Sequence, residues 1–422
     1  MINKNRIIQL ESINWNFFEK NNKLTKKLHW YPGTFPQEIP ATIIQALSKE
    51  NDLIFDPFGG IGTTLAEALR LNRKCIVSDI NPVALLSSYV SALLLLVNKE
   101  NYLLMKVYLE YLVHLLSNNE KNVLDFGDTS AFYDFDSYFS ELIQPVPDIF
   151  FNQIIVNLPQ YDLLRKWIDD ESIDEIKKIY SMIDNEQQYT KKIILLEMLS
   201  NALFSSSSQR KSWGHIADNV YPKQMENRKD AFISACKRWI NNKARKLISF
   251  ESTCSFNEKR AYIFQQNWLD DINDCFDDLS FDLLITSPPY ANAIDYIKSQ
   301  KLSLYLFGYS DADVLSCCKN EIGARTRRTH SDSTEKWASD LIASTEKHIS
   351  LAKSDSIYAY ILPSEDEKRV VGNKSLLDFL ISKNKELVFE VDRSINQMRT
   401  TQSWTSIKKE KILILKSKRG RK

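Results

Sequence analysis

Hydrophobic and polar positions follow two regimes along the chain. In the first, short apolar runs stop at a polar residue: Leu53 to Phe55 at Asp56, Lys74 to Ser78 at Asp79, Arg260 to Phe264 at Gln265, and Phe281 to Ile285 at Thr286. Unalternated runs of this length read as strands buried on both faces of a parallel sheet. Ser356 to Leu362, Glu386 to Val391 and Lys411 to Lys416 add three more, the last two joined by the polar stretch Asp392 to Lys409. Helical patterns at Pro40 to Ser48, from the glycines after Phe58 through Leu71, and at Pro82 to Val97 separate the early strands, as βαβ units require. The second regime has long helix-like stretches at Tyr102 to Leu116, Ser172 to Ile183, Lys191 to Leu203 and Lys229 to Phe250, with Asn-, Asp- and Ser-rich loops and no strand alternation. The chain therefore reads as an α/β sheet with a mainly helical domain inserted between its second and third strands. Residues 1–98 carry an N-terminal arm and the first half of the sheet, 99–255 the insert, and 256–422 the second half. Ala291 to Gly308 reads as a further helix, with Tyr305 and Phe307 in the core.

Two strand ends carry the candidate chemistry. Thr286-Ser287-Pro288-Pro289-Tyr290 closes one strand with a turn in which two prolines donate nothing, leaving carbonyls, the Ser287 hydroxyl and the flat face of Tyr290. Such a turn suits an aromatic amine, which donates from its NH2 and stacks on the ring. Asp56-Pro57-Phe58-Gly59-Gly60-Ile61-Gly62-Thr63-Thr64 is a strand end, a glycine turn and a helix start, where backbone N–H groups can approach a ligand. Roughly 20 residues on, Asp79 ends the next strand, placed to accept hydrogen bonds from ribose hydroxyls. The turn lacks the third Gly or Ala of the dinucleotide fingerprint and the Lys-Ser/Thr of the Walker loop, so neither NAD nor a nucleoside triphosphate is indicated.

These motifs resemble the S-adenosylmethionine-dependent amino-methyltransferases of DNA. Asp56 to Thr64 is similar to that family's cofactor motif, Asp79-Ile80-Asn81-Pro82 to its ribose-binding acid, and Thr286 to Tyr290 to its catalytic motif. His29-Trp30-Tyr31-Pro32-Gly33-Thr34-Phe35-Pro36 resembles the flanking segment that closes over the methionine end of the cofactor, through Tyr31, Thr34 and Phe35. The resemblance implies a class I methyltransferase fold, a doubly wound seven-stranded sheet with an antiparallel final pair. It implies S-adenosylmethionine as cofactor, double-stranded DNA as substrate, and a base flipped into the site. Serine at the head of the P-P-Y motif is similar to the cytosine-N4 branch rather than the adenine-N6 branch. Where the family places an often acidic adenine contact after the third strand, this chain has Asn267 and Trp268, with Asp270 as a substitute. A restriction endonuclease or another defence-system partner belongs to the same expectation, as does a cytoplasmic, nucleoid-associated location. An RNA or protein-amide methyltransferase, and a silent DNA-binding scaffold, remain alternatives.

Composition narrows this only in places. Lys and Arg number 55 against 54 acids, a net charge of +1, so any contact with nucleic acid must come from local basic patches. The candidates are Arg325, Arg327 and Arg328 in a short basic loop, Lys298 just after the catalytic turn, and Arg210 and Lys211 in a serine-rich stretch that reads equally as a linker. The six cysteines form no C-x-x-C pair and the five histidines no helical pair, which leaves metal chemistry unsupported. Val83 to Val97 is too short to span a membrane and reads as a buried helix. Ile154 to Tyr161 echoes an N-P-P-Y motif, but Leu158 and Gln160 replace the residues it needs.

Overall fold

In the computed structural model, described for residues 4–17, 27–117, 134–208, 231–248, 257–395 and 408–418, the apolar runs become one sheet. Its strands are β1 (Leu53–Asp56), β2 (Lys74–Asp79), β3 (Ile143–Gln144), β4 (Ala261–Gln265), β5 (Phe281–Thr286), β6 (Ala352–Pro363), β7 (Lys385–Ser394) and β8 (Lys409–Ser417). The order is β3-β4-β2-β1-β5-β6-β8-β7, parallel up to β6 and antiparallel in β6-β8-β7. Seven of these are the expected strands. The eighth, β3, is two residues long and pairs with β4 at the edge, too short to show in an apolar pattern.

Alternate side chains of each strand feed opposite faces. Ile54, Val77, Leu283 and Ile285 join one apolar cluster, and Phe55, Ile76, Leu284 and Tyr358 the other. The first face is covered by the helices Glu38–Leu47, Thr63–Arg70 and Pro82–Leu95. Every residue of Pro82–Leu95 is buried, and no described helix is long and apolar enough to cross a membrane. Its start is set by Pro82 at the first position and by the Asn81 side chain, which accepts from the Val83 N–H at 3.0 Å. The second face carries the helices Ser333–Ser350 and Glu367–Ser382.

The 99–255 segment builds on the first face. Its helices Lys99–Leu115, Asp170–Asn185, Tyr189–Ser206 and Ala231–Trp239 extend the same apolar cluster. Three shorter helices, Phe135–Leu142, Pro147–Ile154 and Tyr161–Leu164, lie between them and were not legible as periods. The helix expected over Lys229 to Phe250 loosens into a π turn at Ile240–Ala244. Trp239 and Lys243 both donate to the Leu28 carbonyl, at 3.0 and 2.9 Å, which ties this part of the helix to the N-terminal arm.

The helix expected over Ala291 to Gly308 is not continuous. Residues 291–295 form turns and two short helices follow, Tyr296–Ser299 and Lys301–Leu306, because the backbone N–H groups of Tyr296 and Ile297 bond to the Glu321 carboxyl. Tyr305 and Phe307 are buried as expected. Gly308 has φ +91, and a Cβ there would stand 2.3 Å from the Asn157 carbonyl oxygen. The Ile154 to Tyr161 stretch thus docks on Gly308, with Val156 N–H donating to Phe307 and Gln160 N–H to Tyr305, rather than forming a second catalytic turn. Gly308→Ala is expected to destabilise the protein by about 2 kcal/mol or more, read as a lower midpoint in urea at unchanged slope.

Candidate active site

From β1 the chain steps outward to β2 and β4, then returns to β5 on the other flank. That reversal is the switch point at which sheets of this kind bind ligands, beyond the carboxyl ends of the strands. The ends in question are Asp56, Asp79, Gln265 and Thr286, the four polar stops of the sequence pattern. Above them lies a cleft of about 790 Å³.

Tyr31, Thr34, Phe35, Pro57, Phe58, Gly59, Gly60, Thr63, Asp79, Ile80, Asn81, Asn267 and Trp268 all line it, together with Ser287 and Pro289. The glycine turn can lie close to the sheet only because Gly59 has no side chain: a Cβ there would meet Val77 Cγ1 at 2.5 Å. Asp79 holds the turn. One carboxylate oxygen accepts from Gly60 N–H at 3.0 Å, the other from Asn81 N–H at 2.9 Å, and burial lifts the group to about 6. Each oxygen keeps a lone pair for a ligand. Trp268 donates to the Pro57 carbonyl at 2.9 Å, fixing the opposite wall. Asn267 takes Asp270 as its partner at 2.9 Å, so Asp270 orients Asn267 and does not itself line the cleft.

Asp56, Gly62 and Thr64 stand behind the lining. Asp56 is 1% exposed and accepts from the hydroxyls of Thr64 at 2.6 Å and Thr286 at 2.9 Å. Burial raises its carboxyl to about 6, with the hydroxyl bonds pulling the other way. It brackets the glycine turn to the end of β5, and so sets the distance between the two motifs.

The upstream segment reaches the cleft through the insert. Trp30 stacks on Phe204 with ring centres 4.1 Å apart, and His29 is held between the Trp30 carbonyl at 2.7 Å and Ser200 at 2.8 Å. Burial lowers His29 to about 4, leaving it neutral. Tyr31 then lies over Gly60 and stacks on Tyr296 at 5.8 Å.

In the Ser-Pro-Pro-Tyr turn, Pro289 accepts from the Trp337 indole at 2.7 Å. Pro288 and Tyr290 do not line the cleft. Tyr290 is half-buried, and its hydroxyl lies 3.0 Å from Glu410 and 3.0 Å from Ser287. Glu410 in turn pairs with buried Arg393, which also donates to the Trp15 carbonyl at 3.1 Å. An ionised carboxylate only accepts, so Tyr290 donates to Glu410 and Ser287 donates to Tyr290. Ser287 is therefore left with its oxygen lone pairs free.

Sequence reasoning missed Gln266, Tyr296, Ile297, Asn320, Glu321 and Ile322 in the lining. Glu321 is 3% exposed, and burial pushes it to about 8, against the two N–H donors it gains. Its folded value lies above the unfolded one, so it favours the fold below about pH 4.5 and loses that contribution as pH rises through about 8. Glu321→Gln is expected to be more heat-stable than the parent by a margin that grows across this window, to on the order of 2–4 kcal/mol. Thermal melts at pH 5 and pH 8.5 measure it.

The basic loop lies next to this wall. Thr326 N–H donates to Asp295 at 2.9 Å and Asn292 N–H to the Gly323 carbonyl at 2.9 Å, which places Arg325 and Arg328 beside the catalytic turn. Arg327 is spent differently, donating to the Lys319 carbonyl at 2.6 Å. Lys298 follows Ile297 of the lining, and Arg210 and Lys211 lie outside the described residues.

A parallel sheet with an antiparallel final pair, a glycine turn after β1, an acid after β2 and a Ser-Pro-Pro-Tyr turn after β5 define a class I methyltransferase fold. Residues 5–88 match the family model described as DNA methylase, the N6/N4 type. Among curated relatives, the type II methyltransferase M2.LlaDCHI of Lactococcus lactis subsp. cremoris is 47% identical over 60 residues, 13% of this chain and 22% of that protein. The orphan methyltransferase M.BamHII of Bacillus amyloliquefaciens is 37% identical over 62 residues, 15% of this chain and 23% of that protein. The type II methyltransferase M.MvaI of Kocuria varians is 23% identical over 288 residues, 66% and 56% of the two chains. The chain thus spans between about a fifth and about half the length of the relatives it matches. A solved rRNA methyltransferase, AviRa of Streptomyces viridochromogenes, superposes with a TM-score of 0.32 at 10% identity, over 94% of this chain and 92% of its own. The family-model and curated matches are similarities of parts of this chain to N4/N6 amino-methyltransferases of DNA.

Proposed function

We propose that this protein moves a methyl group from S-adenosylmethionine to the exocyclic amino nitrogen of a flipped base in double-stranded DNA, cytosine N4 in preference to adenine N6. The observation that carries this is the shared cleft: the Gly59-Gly60 turn and the Ser287 hydroxyl line one cavity, from neighbouring strands β1 and β5.

The lining fits the cofactor. Its acids are Asp79 and Glu321, of which Asp79 is the more readily ionised, and among the described residues it holds no Lys, Arg or His, which suits a ligand with a cationic sulfonium centre. Asp79 would accept from the ribose hydroxyls, Asn267 and Trp268 would flank the adenine, and Tyr31, Thr34 and Phe35 would cover the methionine end. When bound, the cofactor supplies an electrophilic methyl group.

The residues of the chain then position the acceptor. An exocyclic base nitrogen shares its lone pair with the ring and must be turned towards the methyl group. Ser287, with its oxygen free to accept, takes one of the two N–H bonds that do this, and the second falls to the Pro288 carbonyl once the base enters between the lining residues Ser287 and Pro289. Tyr290, its hydroxyl tethered, offers a fixed ring for stacking. Extrusion of the base costs a few kcal/mol, which stacking partly offsets. Alignment, rather than a covalent enzyme intermediate, is the main contribution.

Tritiated S-adenosylmethionine offered to duplex DNA, RNA and protein, followed by nucleoside analysis, tests the reading. N4-methylcytosine is the expected product. Label confined to RNA or protein, or no cofactor binding at all, would sink it. The exposed basic loop is assigned to the DNA backbone, and Arg325→Glu with Arg328→Glu is expected to weaken DNA binding and flatten its salt dependence. The slope of log K against log salt should fall by about 0.9 for each phosphate the variant leaves unneutralised. A restriction endonuclease sharing the recognition sequence is the partner this reading calls for.

A further inference from the structure

A methyl group added to an amino nitrogen leaves a surplus proton, and the two carboxyls that line the cleft are engaged elsewhere, Asp79 by the glycine turn and Glu321 by the Tyr296 and Ile297 N–H groups. The catalytic turn is, however, the head of a short chain of hydrogen bonds that leaves the cleft. Ser287 donates to Tyr290 at 3.0 Å, Tyr290 donates to Glu410 at 3.0 Å, and Glu410 is 7% exposed on β8. The groups facing Glu410 are Arg393 from β7, Tyr290 itself and, further off, Tyr296. Burial makes the carboxyl more basic than usual while Arg393 opposes that. When the carboxylate takes a proton, Arg393 keeps its bond to the Trp15 carbonyl, and the buried guanidinium favours rapid return of Glu410 to the ionised form.

Resting on the reading above, we propose that Glu410 is a positioning residue that takes the displaced proton through Tyr290 and Ser287. The nitrogen lone pair forms the N–C bond as the C–S bond breaks, with that pair remaining on sulfur. The nitrogen then passes a proton to the Ser287 oxygen as the Ser287 proton moves to Tyr290 and the Tyr290 proton to Glu410. Serine and tyrosine end neutral. Glu410 ends as the carboxylic acid and releases the proton to solvent before the next turnover. In its resting ionised form the same residue orients Ser287 to accept from the amine, so one group serves before and after transfer.

The test compares Tyr290→Phe, Glu410→Gln, the double variant and Glu410→Asp, all assayed with saturating cofactor and duplex DNA. Tyr290→Phe keeps the Glu410–Arg393 pair and guards against a folding defect in the charge variant. Each single variant is expected to lose about 10²-fold in kcat with cofactor affinity, measured by calorimetry, within about twofold. The double should be no worse than either single, and Glu410→Asp should recover part of the rate. The acid limb of the kcat profile of the parent should be missing from Glu410→Gln. Full kcat in either single variant, multiplicative losses in the double, or an unchanged acid limb would each overturn the inference alone. A parent protein that methylates no DNA would overturn the function reading instead, and the relay with it.

Discussion

Ser287→Ala is expected to lower turnover by about 10²-fold while cofactor affinity stays within about threefold. The hydroxyl faces the cleft and among the described residues bonds to Tyr290, so its removal takes nothing from the glycine turn or from Asp79. In the proposed mechanism it removes the acceptor that holds the amine in line, and a misplacement of about 1 Å can by itself cost two orders of magnitude. Single-turnover rates with saturating cofactor, beside calorimetric titration of the cofactor, separate the two effects. Equal loss of rate and of cofactor affinity would place Ser287 in the cofactor site.

Asp79→Ala is expected to do the reverse: cofactor affinity falls by about 10²-fold or more, and kcat at saturating cofactor stays within a fewfold of the parent. In the proposed cofactor pose this would remove two charge-assisted bonds to ribose, worth roughly 1.5–3 kcal/mol each. The turn also suffers, because Gly60 and Asn81 N–H groups lose their shared acceptor. Asp79→Asn is the informative control, since it keeps an oxygen for one of the two N–H groups. Titrations of all three proteins decide whether charge or turn geometry dominates.

The sheet was legible because buried parallel strands print as uninterrupted apolar runs, and the runs that meet the cleft stop at a polar residue, Asp79 in its lining and Asp56 and Thr286 just behind it. Asp56, Asp79 and Thr286 could be read directly as strand ends. The lining supplied by Asn320, Glu321 and Ile322 could not, since no motif surrounds it and a lone acid in a loop ordinarily reads as solvated. Its role emerges from two backbone N–H groups that break the expected Ala291 to Gly308 helix, a contact between residues 25 apart. The partners of Tyr290 were hidden for the same reason: Glu410 lies 120 residues away. The anchoring of Tyr31 is another long-range effect, since His29 meets Ser200 across 171 positions and only the folded insert brings them together. Periodicity reports which face of an element is buried, and says nothing of which distant side chain covers it.

The pairing of β1 with β5 has a consequence for how the protein is made. Roughly 220 residues separate the two strands, and at about 5–20 residues per second a ribosome needs some 10–45 s to produce them. Through that interval β1 can zip to β2 but presents its other flank as an open hydrogen-bonding edge, an aggregation hazard in a nascent polypeptide. Refolding of the full chain meets the same long-range closure without the ribosome, so slow recovery from denaturant is expected from topology rather than from any weakness of the finished sheet.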